Sequence, residues 1–246
     1  EAAGGRVWYG VAAYNGTGGD EVNDDKDVAA RLAWRPRGAP AADGARPFLQ
    51  LAANATWGVA EQDLAGAELF QDARQPFADF EPGARLDGTR VRLGADFTWL
   101  AGPNALMVEA IHIEQEVAGG GGTGDAVTSG WLVSASRVLT GEARGWKGVR
   151  PRRPLGGDED GAGAWQVAAR YSELRLDDAW LDLGLLAPAE FPGTVRGLDV
   201  GLNWYPTRRA AWKLHFLRVF YADDVALGGA PGGGENAVIL QFQIAF

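Results

Sequence analysis

The chain predicts an all-β fold, an antiparallel transmembrane β-barrel, and three observations lead there. Stretches of alternating apolar and polar residues recur along all 246 residues, they are longer than ordinary sheet strands, and no apolar run approaches the roughly 20 residues of a membrane-spanning helix. The slightly negative mean hydropathy does not oppose this reading, because lipid-facing and lumen-facing residues alternate in such a barrel and average out.

About ten strands follow from the alternation and from the Gly, Asp, Asn and Pro clusters that interrupt it. They span Arg6 to Tyr14, Asp27 to Arg35, Pro47 to Gly58, Leu86 to Leu100, Ala105 to Val117, Val127 to Thr140, Ala164 to Leu174, Val195 to Tyr205, Ala211 to Ala222 and Ala237 to Phe246. Most reach the roughly 9–11 residues of a tilted membrane-crossing strand, against roughly 5–6 in globular sheets.

The connections are expected to alternate between short periplasmic turns and long outside loops. If the last strand descends to the periplasm, Asp223 to Asn236, Arg175 to Thr194, Ala118 to Ala126 and Val59 to Arg85 lie outside. Pro206-Thr207-Arg208-Arg209 and Ala101-Gly102-Pro103-Asn104 are then tight inside turns. Gly141 to Gly163 is the exception, long where it should be short, and the segment after Pro36 also exceeds a tight turn.

Within strands the two faces separate by character. In the last, Val238, Leu240, Phe242, Ile244 and Phe246 oppose Ala237, Gln241, Gln243 and Ala245. Val28, Ala30, Leu32 and Trp34 oppose Arg31 and Arg35, while Val91, Leu93, Ala95, Phe97 and Trp99 oppose Arg90, Arg92, Asp96 and Thr98. Trp34, Trp57, Trp99, Trp165, Trp204 and Tyr205 suit interfacial girdles. Arg137 and Arg218 fall in phase with apolar residues. At the bilayer midplane each would cost about 2–4 kcal/mol, so each is expected at a rim, at a bulge or against a partner subunit.

Composition excludes several functions. A net charge of -9 opposes nucleic-acid binding, which needs a basic surface. The absence of Cys suits a protein that crosses an oxidising periplasm. His112 and His215 are the only histidines, and neither stands in a nucleophile or metal-ligand motif; no catalytic residue, metal or cofactor is expected. The run Gly119-Gly120-Gly121-Gly122 reads as a loop tip. A soluble β-sandwich that binds glycans through exposed Trp is the alternative that composition leaves open.

Three stretches together resemble the phosphate-selective porin O and P family. The first is Arg6-Val7-Trp8-Tyr9-Gly10-Val11 closed by Asn15-Gly16, with Asp27 leading into Ala30-Arg31-Leu32-Ala33-Trp34-Arg35-Pro36. The second runs from Leu139-Thr140-Gly141-Glu142 through Trp146-Lys147-Gly148-Val149 and Pro151-Arg152-Arg153-Pro154-Leu155 to Gly163-Ala164-Trp165-Gln166-Val167-Ala168-Ala169-Arg170-Tyr171-Ser172. The third is Gly201-Leu202-Asn203-Trp204-Tyr205-Pro206 with the closing Gln241-Phe242-Gln243-Ile244-Ala245-Phe246.

The resemblance implies an outer-membrane porin of a Gram-negative bacterium: a water-filled channel for small anions such as phosphate or polyphosphate, a homotrimer in contact with outer-membrane lipid. It implies a sixteen-stranded barrel, so this chain would lack about six N-terminal strands; the alternative is a smaller barrel, which an even count of about ten permits. Alone it would expose two sheet edges and make no stable pore. It also implies that the long inside segment at Gly141 to Gly163 is basic and extended. Gln241 stands where the family usually carries Arg, and Asp20-Glu21, Asp24-Asp25 and Asp158-Glu159-Asp160 are acidic; these departures keep a general, non-specific porin as the alternative to phosphate selectivity. The residues expected to line the channel are Arg31, Arg35, Arg90, Arg92, Arg170 and Lys213, acting on anions. The competing expectation is that they pair with Asp96, Glu109 or Asp199.

Overall fold

The computed structural model describes residues 4–15, 26–41, 44, 46–65, 67–70, 76–156, 161–188, 191–227 and 230–245, with backbone alone at 70, 76, 223–227 and 230–232. The acidic stretches at 20–25 and 158–160, Gly16 and Phe246 lie outside the described residues.

Among the described residues fourteen strands and one helical turn form in chain order: β1 (Val7–Asn15), β2 (Lys26–Trp34), β3 (Phe48–Asp63), β4 (Glu68–Phe70), β5 (Pro76–Asp79), β6 (Arg85–Ala101), β7 (Asn104–Gly119), β8 (Gly122–Val138), β9 (Arg144–Gly145), β10 (Gly148–Val149), β11 (Ala164–Leu176), α1 (Ala179–Asp182), β12 (Thr194–Tyr205), β13 (Ala210–Leu227) and β14 (Ala230–Ile244). Ten of them make one antiparallel sheet, ordered β1-β2-β3-β6-β7-β8-β11-β12-β13-β14, so each strand pairs with its neighbours in the chain. The hairpins β4–β5 and β9–β10 are set into connections. β1 and β14 are the two edges of the sheet, and no pairing joins them among the described residues.

All ten predicted strands are present, but several run further than the alternation predicts. β7 and β8 continue to a turn at Gly120 and Gly121, so the loop expected at Ala118 to Ala126 is mostly paired strand. β13 and β14 likewise extend through most of the loop expected at Asp223 to Asn236. Both extensions are rich in Gly, Ala and acidic residues. They lack the apolar alternation that marks a strand half in lipid, yet the backbone ladder continues without it.

The register fixes which side chains share a face. Trp34, Leu51, Phe97, Val108, Val133, Tyr171 and Leu198 stand in one row across seven strands, on one face. Large apolar side chains on this face are exposed: Leu32, Trp57, Leu93, Trp131, Val200, Phe216, Leu240 and Ile244 among them. A soluble sandwich would bury such a face, whereas a lipid-facing one carries it.

The apolar band crosses the sheet diagonally. Trp34 begins the row above, while Trp165, Trp204 and Trp212 lie six residues nearer the chain-reversal end than the same row on β11, β12 and β13, five to seven strands away. The opposite edge drifts in parallel, from Trp57 on β3 to Phe216 on β13. A drift of about one residue per strand, with about 3.3 Å per residue and about 4.8 Å between strands, corresponds to a strand tilt of about 35°. Membrane barrels tilt by roughly 35–45°, which is the same geometry reached from strand closure.

Arg137 falls within the first aromatic edge, donating to Asn104 Oδ1 at 3.2 Å beside the tight turn between β6 and β7. Arg218 falls at the second edge, with its guanidinium 4.8 Å from the centre of the Phe220 ring. Both therefore sit at rims. Tyr205 is a correction: it shares the face of Asn203, not of Trp204, and its hydroxyl donates to Gln166 Oε1 at 2.8 Å.

Candidate pore lining

Strand alternation places Arg31, Arg35, Arg90, Arg92, Arg170 and Lys213 on the face opposite the apolar band. On this face lies a cavity of about 610 Å³, reached from strands β2 to β13 and lined by Arg31, Gln50, Asn54, Asp96, Glu109 and Ser172, with Phe77 and Trp146 among its apolar lining residues. A single cavity walled by so many strands requires the sheet to curl, apolar side outward. Of the six predicted cations only Arg31 lines it.

The cations fall into two groups. On β2, β3 and β6, Arg31 pairs with Asp96. Gln50 Nε2 donates to the other oxygen of that carboxylate at 3.1 Å, and Arg35 Nε donates to Gln50 Oε1 at 2.9 Å. Two rows further along, Arg90 and Arg92 share Asp27 Oδ2 at 3.1 and 2.6 Å. Asp27 is fully buried, and it can lie there because residue 58 is glycine: a β-carbon at that position would stand 1.8 Å from Asp27 Oδ1.

The second group lies on β11, β12 and β13. Arg170 is opposite Asp199, and Lys213 is opposite Asn203 and Gln241. His215 bridges Asp199 Oδ1 at 2.8 Å and Asn203 Oδ1 at 3.1 Å, and Asn203 Nδ2 donates to Gln166 Oε1 at 3.2 Å. Gln166 Nε2 in turn donates to Ser136 Oγ at 2.9 Å. The polar groups of the wall are thus bonded to one another, as a water-filled face held in shape requires.

Arg31 takes Asp96 as the competing expectation allowed, and Asp199 takes His215. Asp27 is the carboxylate that the sequence reading missed. Its signal was the period of two: Asp27 is in phase with Arg31, which places it inward beside β6.

Two long connections expected as outside loops turn back onto the cavity face. Leu64, Phe77 and Phe80, before and within the segment leading to β6, pack with Trp180, Leu185 and Leu186 around α1. This cluster covers Val117, Leu217, Val219 and Tyr221 of the wall. Backbone bonds tie it together, Glu81 N to Leu185 O at 2.9 Å and Gly121 N to Leu183 O at 3.0 Å, and Trp180 Nε1 donates to Val127 O at 3.1 Å. The glycine run is accordingly a saddle as well as a turn: a β-carbon on Gly121 would lie 2.4 Å from Asp182 O. These connections fold inward because they carry large apolar side chains with no lipid to meet.

At the other end, Glu142 organises the long segment between β8 and β11. Its carboxylate is buried, accepting from the Thr140 hydroxyl and from Arg152 N at 3.2 Å, while Arg152 Nη2 donates to Gly141 O at 3.2 Å. Burial pushes its pKa up, but the bonds from Thr140 and the Arg152 amide, with the Arg152 charge, outweigh this and hold it below the ordinary Glu value. The long segment, with Arg144, Lys147, Arg150, Arg152 and Arg153 in it, is thus gathered at its start about one buried carboxylate.

The model of the family described as phosphate-selective porin O and P matches residues 2–223. The chain belongs to the phosphate-selective porin O and P family. This porin is an outer-membrane channel protein, in accord with the outward apolar band and the polar inner wall. No curated protein matches it. Among solved structures it is similar to one titled "NanC porin structure in rhombohedral crystal form", at 8% identity and a TM-score of 0.40, over 98% of this chain and 99% of that one.

Proposed function

We propose that this porin passes small anions, phosphate among them, along a wall whose excess positive charge comes from Arg31, Arg35, Arg90, Arg92, Arg170 and Lys213. The observation that carries the reading is their common face: all six stand on the cavity side, while the arginines of the opposite face lie at the edges of the apolar band. In the first group Arg90 and Arg92 share the one carboxylate of Asp27 while Arg31 pairs with Asp96, so that in these pairs three guanidiniums meet two carboxylates. Arginine forks suit phosphate oxygens, two bonds at a time. As in the family, three copies would assemble in the outer membrane, with the apolar band against lipid.

A general, non-specific porin is the second reading. It is favoured by the pairing itself, because a guanidinium held by a carboxylate attracts a passing ion less, and by Glu109, which faces Asp96 across the β6–β7 ladder. Reversal potential in a salt gradient, with phosphate titrated against chloride current, separates the two. Anion selectivity with block by phosphate supports the first, and cation selectivity or no block supports the second.

A further inference from the structure

Outside the apolar band the outward face divides by charge. On β3, β6, β7 and β8 acids prevail, Glu61, Glu114, Glu116 and Asp125 against Arg85, whereas on β11, β12 and β13 Arg175, Arg196 and Arg218 stand about the single acid Glu173. We infer that Arg175, Arg196 and Arg218 form a docking site on the barrel exterior for the phosphate of an anionic lipid headgroup.

The register brings the three together. Arg196 is opposite Glu173, two residues nearer the band than Arg175, and Arg218 is opposite Leu198, two residues nearer than Arg196. On strands tilted by about 35° that stepwise descent nearly follows the membrane plane, so the three Cα atoms lie within about 6 Å in height. Diagonal neighbours on adjacent strands are about 7–8 Å apart, close enough for two long guanidinium arms to reach one phosphate.

Glu173 fixes two of the arms: Arg196 Nε donates to its Oε2 at 3.0 Å, and Arg175 Nε stands 3.7 Å from its Oε1. Arg218 lies over Phe220. Three cations thus meet one carboxylate, and the patch stays positive. Immediately below, Leu198, Val200, Leu202, Leu214, Phe216 and Leu240 are exposed for acyl chains. A positive head region above an apolar strip has the charge and the amphiphilic order of a bound anionic lipid. The site rests on the outward face meeting lipid, and not on the channel's preference among ions.

The test is native mass spectrometry of the detergent-extracted protein, titrated with phosphatidylglycerol or with phosphatidylcholine of the same acyl chains. The protein is expected to retain the anionic lipid about thirtyfold better, the scale that two net basic residues give at a charged surface. The R175Q/R196Q/R218Q variant should lose that preference with its β-sheet circular dichroism intact, and R175K/R196K/R218K should keep it. Equal retention of both lipids by the native protein would overturn the site. So would a glutamine variant that still prefers phosphatidylglycerol, or displacement of the lipid by millimolar inorganic phosphate, which would mark a free-phosphate site instead. Retention of neither lipid would count against the lipid-facing reading of the band itself.

Discussion

Asp27 and Gly58 lie in contact on neighbouring strands, the carboxylate of the first occupying the space that a side chain on the second would fill. That contact holds a fully buried acid beneath two arginines, and so decides how much of their charge the channel presents.

Gly58→Ala should therefore displace Asp27 and cost about 3–5 kcal/mol, the scale of breaking a buried charge pair. Thermal or denaturant unfolding in detergent measures it. An unchanged midpoint would mean that the strands part without strain and that Asp27 has no fixed seat.

Asp27→Asn should raise the anion-to-cation permeability ratio, because Arg90 and Arg92 keep their charge and lose their counter-ion; Asp96→Asn should do the same through Arg31. A change of about twofold or more is expected in the reversal potential converted to permeabilities, that being the order of one added wall charge. No change in either variant would show that these arginines stand outside the ion path.

Much of this was legible in the sequence. A period of two placed all six basic candidates on one face and the Trp residues Trp34, Trp57, Trp99, Trp165 and Trp204 on the other, since alternation is dictated by backbone geometry alone. The partners were not legible, because pairing between Asp27 and Arg90 depends on the register of three strands and on one glycine. The strand extensions of β7, β8, β13 and β14 were hidden for a different reason: beyond the lipid neither face needs to be apolar. The inward fold of the two long connections is tertiary, and follows from Phe80 and Trp180 finding each other across 6.0 Å between ring centres.

Trp180→Ala should loosen that inward cluster, removing the ring against Phe80 and leaving a cavity at a cost of about 3–5 kcal/mol, and Gly121→Val should lift α1 by contact with Asp182. Both variants should increase single-channel conductance, since Phe77 of the same cluster lines the cavity. Unchanged conductance with a loosened cluster would place the narrowest part of the path elsewhere.

Glu142 gives a pH dependence with a definite sign. Its folded pKa is lowered, so its stabilising contribution is present in full above the unfolded value near 4.5 and is lost as pH falls through the folded value. Limited proteolysis of the segment between β8 and β11 should accelerate as the medium is acidified below that range. Glu142→Gln should be cut faster at neutral pH and should lose this acid dependence; a native protein whose cleavage ignores acid would remove Glu142 as the organiser.

The central claim is that the basic face lines water and the apolar face meets lipid, and single cysteines along β13 test it most directly, the chain having none of its own. Lys213→Cys and Leu214→Cys are neighbours on opposite faces. A charged, water-soluble thiol reagent should react with the first and reduce channel current, while the second should stay unmodified in a lipid bilayer. Modification of both alike, or of residue 214 alone, would contradict the account.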